Sequence, residues 1–134
     1  MTYPNNFEEK IGFSAIRSLL QSYCLSPLGM AEVEAMQLSS DETIVSEAHA
    51  QTNEYRLLLE QMPDFPLHHV FDVRECVRKA RISNAHLEVH DFFDLRRSLF
   101  TIHQVVSILH PDAPENRVGE ALYSLADGIA TFPL

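Results

Sequence analysis

Tyr23-Cys24-Leu25-Ser26-Pro27-Leu28-Gly29 lies between two amphipathic helical patterns and opens the second of them. Ser26 can cap a helix with its hydroxyl, and Pro27 fits the first helical position, where its missing N–H costs nothing. Leu28 then starts a new apolar face. Upstream, Phe7, Ile11, Ala15, Ile16, Leu19, Leu20 and Tyr23 recur at helical spacing and predict one helix over about residues 7–23. Asn5 or Asn6 is its expected N-cap, and Glu8 and Glu9 suit the positive end of the macrodipole. On the other side, Leu28, Ala31, Val33 and Met36 predict a short helix over about residues 27–36. The joint is a sharp helix–turn–helix corner with no chemistry of its own.

Ser39 with Glu42 three residues on is a capping-box signature. A long helix is expected from there to about Met62, with Ile44, Val45, Ala48, Tyr55, Leu58, Leu59 and Met62 as its apolar face. The spacing is close to a seven-residue repeat, which can pair with a partner chain or pack within its own bundle; the second is the expectation. Pro63 and Pro66 make residues 63–71 a loop. Asp72 then caps a short basic helix over about residues 73–81, with Val77 and Ala80 facing inward. The next helix covers about residues 88–109. Val89, Phe92, Phe93, Leu95, Leu99, Ile102, Val106 and Leu109 are spaced by threes and fours, and Phe100, Val105 and Ile108 widen the stripe. A helix so apolar around its circumference is expected at the centre of the bundle. There, Phe93→Ala or Leu99→Ala would cost about 2–5 kcal/mol. His110-Pro111-Asp112-Ala113-Pro114 ends it, and Val118, Leu122, Leu125 and Ile129 predict a last helix over about residues 115–129. No segment alternates with period two. The expected fold class is all-α, one domain forming an elongated bundle of five to six helices.

With 134 residues, 46% hydrophobic and 22% charged, the composition is that of an ordinary globular domain. No apolar run approaches the ~20 residues of a membrane span. The start, Met1-Thr2-Tyr3-Pro4-Asn5-Asn6, has neither a basic nor an apolar stretch of the secretory type. Cys24 and Cys76 are far apart and form no CxxC motif, so they are expected as reduced, small, buried apolar groups. The reading is a cytoplasmic protein without membrane partners. The apolar tripeptide Phe132-Pro133-Leu134 suggests a fragment of something longer. The net charge of −9 is unevenly spread. Residues 1–64 set three cations against ten carboxylates, whereas residues 74–97 set six cations against four. The acidic total opposes tight non-specific binding of nucleic acid, whose affinity comes mainly from neutralised phosphates. One local basic patch escapes that objection.

The order of elements resembles a known family. A helix of the form Phe-x-x-x-Ile-x-Phe leads to Tyr23-Cys24-Leu25-Ser26-Pro27-Leu28-Gly29. Glu54-Tyr55-Arg56-Leu57-Leu58-Leu59, a Pro-rich loop and Asp72-Val73-Arg74 follow. Val77-Arg78-Lys79-Ala80-Arg81-Ile82 and Phe93-Asp94-Leu95-Arg96-Arg97-Ser98-Leu99 complete the set. Together they resemble the N-terminal region of the second bacterial paralogue of the MutS mismatch-repair ATPases, whose full-length members usually end in an Smr endonuclease domain. The resemblance implies a non-catalytic helical core or lever that links a DNA clamp to a nucleotide site. It implies a parent that is a homodimeric, DNA-dependent ATPase using ATP and Mg and acting on branched or recombination DNA, with an endonuclease domain in the usual full-length form. This chain has no G-x-x-x-x-G-K-[ST] loop, and its four glycines are scattered, so no cofactor-binding residue is carried over.

The candidate DNA contacts are Arg74, Arg78, Lys79, Arg81, Arg96 and Arg97. Arg74 and Arg78 share a helix face, with Arg81 a turn further, and Arg96 and Arg97 extend the patch if the two helices are neighbours. The competing reading is a solvated face paired with Asp72, Glu75 and Asp94. No aromatic at surface spacing interrupts the cations to suggest base stacking. Seven histidines invite a metal reading, in which His86, His90 and Asp94 fall at i, i+4 and i+8 if all are helical. An all-α metal phosphohydrolase would need His68 or His69, His90-Asp91 and Asp127 in that order. Neither motif has supporting flanks, and no metal ligand or catalytic residue is assigned. The remaining alternative is a free-standing helical adaptor that binds a protein through an apolar face.

Overall fold

The computed structural model describes residues 6–110 and 119–131, which form seven α-helices and no strand. The all-α expectation holds. The chain divides into two compact units, Met1–Leu38 and Ser39–Leu134.

In the first unit the expected single helix is two. Helix α1 (Phe7–Lys10) stops at Ile11, and α2 (Phe13–Tyr23) starts after Gly12, whose φ of 76° is left-handed. A glycine enters that region without the Cβ penalty, so the turn falls there despite continuous apolar spacing. Asn6 occupies the cap position of α1 without a side-chain bond, and Asn5 lies outside the described residues. The joint forms as read. Cys24 is extended, Ser26 is the N-cap of α3 (Pro27–Ala35), and its Oγ accepts from the Gly29 N–H at 3.3 Å. The apolar face assigned to α2 is mostly in water, with Ile16, Leu19, Leu20 and Tyr23 exposed. Ala31 of α3 and its C-cap residue Met36 are exposed too, while Leu28 and Val33 are half-buried.

What holds α3 against α2 is Arg17. Its guanidinium donates to the Val33, Glu34 and Met36 carbonyls, the last at 3.0 Å. It also bonds the Glu8 carboxylate at 2.6 Å and lies over the Phe13 ring at 5.4 Å. A helix leaves its last carbonyls without intrahelical partners, and the five-donor guanidinium answers them in one place.

The second unit contains α4 (Glu42–Gln61), α5 (Arg74–Ala80), α6 (Val89–Leu109) and α7 (Glu120–Ala126). Asp41, rather than Ser39, caps α4: its Oδ1 accepts from Thr43 and Ile44, and Ser39 Oγ accepts from the Asp41 N–H. Glu88 opens α6 through a reciprocal cap with Asp91. The core comprises Leu58, Phe65, Leu109, Leu122 and Ala126, flanked by Tyr55, Met62, Leu67, Val105 and Ile108. It joins the end of α4, the Pro-rich loop, the end of α6 and α7. Of the face assigned to α4, only Leu58 is buried, and Ile44 and Leu59 are exposed.

The central place expected for α6 is overturned. Val89, Phe92, Phe93, Leu99, Phe100 and Ile102 are exposed, while Ser98, Thr101 and Leu109 are buried. The helix is apolar on most of its circumference, so spacing alone does not select the inward arc. Its neighbours are α5 and α7, and its buried residues are Ser98, Thr101 and Leu109. In α5 the inward residue is Cys76, not Val77 or Ala80, which are exposed. Leu125 and Ile129 also turn outward, and residues 115–118 of the expected last helix lie outside the described residues.

Candidate functional site

The basic residues concentrate on α5, the turn after it and the first half of α6. Cys76 fastens these helices, its thiol donating to the Asp91 carbonyl at 3.6 Å. Lys79 Nζ reaches the Asp91 carboxylate at 3.5 Å. Helices α5 and α6 are therefore neighbours; Arg74, Arg78 and Lys79 lie on α5, Arg81 in the turn after it, and Arg96 and Arg97 on α6.

Half of those cations are already neutralised. Arg74 clasps Asp72 with two bonds, at 2.9 and 2.6 Å, and the same carboxylate accepts from the Arg74 backbone N–H. Arg78 bonds Glu75 one turn earlier on α5. The hydrogen bonds from Arg74 hold the Asp72 carboxyl below the usual carboxylate range, and those from Arg78 do the same for Glu75. Both arginines are pushed up in return. These pairs are exposed and are screened by water and salt. The third acid is Asp91 rather than the expected Asp94. Arg81, Arg96 and Arg97 have no carboxylate partner among the described residues.

The expectation that no surface aromatic interrupts the cations is also overturned. Phe92 and Phe100 flank Arg96 at four residues on either side, Phe93 precedes Arg97 by four, and all are exposed. Residues four apart on a helix are surface neighbours. The available signal was the Arg96-Arg97 pair set among apolar positions of α6. The histidines do not converge: His86 is in the loop before α6, and His68 and His69 are in the Pro-rich loop. His90 lies 3.4 Å from carboxylate oxygens of both Glu88 and Asp91. Among the described residues, no group of three or more His, Cys, Asp or Glu side chains is placed to hold a metal ion. No described helix is long and apolar enough to cross a membrane.

Comparison with protein-family models, with curated proteins and with solved structures finds no match to this chain.

Proposed function

We propose that the chain is a non-catalytic helical segment of a MutS-type, DNA-binding ATPase of the second bacterial paralogue kind, acting in the cytoplasm in DNA repair or suppression of recombination. The observation that carries this reading is the ordered set of elements. The Ser26-capped joint, the 20-residue α4, the Pro-rich loop, the cationic α5 and the 21-residue α6 occur in the sequence order of the resemblance. Long packed helices move as rigid bodies and can pass a displacement between a clamp and a nucleotide site. Under this reading ATP, Mg, any endonuclease activity and homodimerisation belong to the parent protein. This segment contributes scaffold and Arg81, Arg96 and Arg97, the candidate cations without a carboxylate partner among the described residues.

The test is fluorescence anisotropy of the full chain with branched and linear DNA at low salt, beside an Arg81→Glu/Arg97→Glu variant. Salt-sensitive binding to branched DNA that the variant loses supports a phosphate-contacting face. Binding by neither protein removes DNA contact from this segment's role.

A further inference from the structure

The outer face of α6 is built as a seam. Val89, Phe92, Arg96 and Leu99 follow each other by three, four and three residues, and Phe93 and Phe100 run alongside, seven apart. The apolar members are 45–75% exposed. The seam covers about three turns of helix. Spacing of this kind accepts the side chains of a second helix between its own, and a single charged residue within such a seam fixes what must lie opposite.

Charge then narrows the occupant. The chain carries 19 carboxylates, yet the exposed positions of α6 carry none. Asp91 and Asp94 are half-buried on the other arc. Arg96 sits within the apolar stripe with no carboxylate partner among the described residues. Covering it with a purely apolar helix would bury an unpaired cation, which is costly. A second copy of α6 would bring another Arg96 and again no carboxylate. A nucleic-acid strand would use the phenylalanines for stacking but leave Val89 and Leu99 without apolar cover. An amphipathic helix with a carboxylate opposite Arg96 satisfies every group on the face.

We infer that the outer face of α6 is a docking site for an acidic amphipathic helix of a partner protein, with Phe92, Phe93, Leu99 and Phe100 as apolar anchors and Arg96 as the residue that selects the partner by charge. Buried aromatics and arginines dominate the energetics of such interfaces. This inference shares Arg96 with the DNA-binding proposal, whose test rests on Arg81 and Arg97, so the two can fail separately.

The probes are two fluorescent 21-residue helical peptides with leucine at the seam positions, identical except for Glu or Lys at the centre. The full chain should bind the Glu peptide at least about ten-fold more tightly than the Lys peptide. Arg96→Glu, shown folded by circular dichroism, should reverse that preference, and Phe93→Ser should weaken both peptides. Equal binding of the two peptides, binding of neither, or a folded Arg96→Glu protein that keeps the original preference overturns the inference. Competition by oligo-dT would assign the face to a nucleic-acid strand instead. Self-association in sedimentation, abolished by Phe93→Ser, would assign it to a second copy; either result overturns the inference.

Discussion

Glu54 sits in mid-helix on α4, yet it sets the start of a helix 68 residues further along the chain. Its carboxylate accepts from the Leu122 N–H at 2.8 Å, one of the first N–H groups of α7, which have no partner within their own helix. Gly119 occupies the N-cap position of α7, and a Cβ there would lie 2.0 Å from Glu54 Oε1. A side chain at 119 would therefore displace the Glu54 carboxylate, whereas the φ of −77° suits any residue. Gly119→Ala should destabilise the second unit by up to about 1 kcal/mol, because the carboxylate, at the end of a flexible side chain, must leave its cap to make room. Glu54→Ala should cost about 1 kcal/mol, the usual worth of a side-chain cap. In the Glu54→Ala background the glycine substitution should be nearly neutral. Urea melts of the four proteins test this directly: additive costs would mean that the two residues do not meet.

At the scale of elements, α6 makes the sharpest demand. Leu58 is fully buried in α4, so Leu58→Ala should cost about 2–5 kcal/mol. Phe93→Ala and Leu99→Ala, central in the sequence reading, should cost less than about 1 kcal/mol, as for other exposed sites. Thermal and urea melts rank them, and a Phe93 cost equal to that of Leu58 would return α6 to the centre of a bundle. Helix α5 has a pH signature. The Asp72 and Glu75 carboxyls have depressed folded-state pKa values, through hydrogen bonds from Arg74 and Arg78. Their contribution is therefore present above the ordinary carboxylate pKa and is lost as pH falls through the folded value, below about pH 4. Amide exchange in α5 should quicken in that window, and less so in Asp72→Asn/Glu75→Gln or at high salt. The start of α3 and the end of α4 were legible because they depend on local chemistry: Ser26 with Pro27, and Pro63 as a stop. Faces were less so. Continuous apolar spacing hid the break at Gly12, and the broad apolar stripe of α6 hid which arc its neighbours cover. In the basic site Asp72 and Glu75 were legible as near neighbours, whereas Asp91 pairs with Lys79 only because Cys76 brings α5 against α6.

Over the whole molecule, the two units differ in how they are held. The unit Ser39–Leu134 has a buried apolar cluster. Among the described residues of the unit Met1–Leu38, the buried side chain is Ser26, and no large apolar one is buried. There, polar ties do the work, with Arg17 linking α2 to the last carbonyls of α3 and to Glu8. Burial of apolar area is the main source of resistance to opening, so the units should open at different free energies. Native-state amide exchange should show α2 and α3 opening first. The turn of α4 around Leu58, the end of α6 near Leu109 and α7 should be the last to open. Arg17→Ala should remove about 1–3 kcal/mol from the protection of α3, because the carbonyls it held would be answered by water alone. The same substitution should leave the amides around Leu58 unchanged. If Arg17→Ala lowered protection equally in both units, the molecule would open as one cooperative body, and the seven helices of the described residues would have to be treated as a single stability unit.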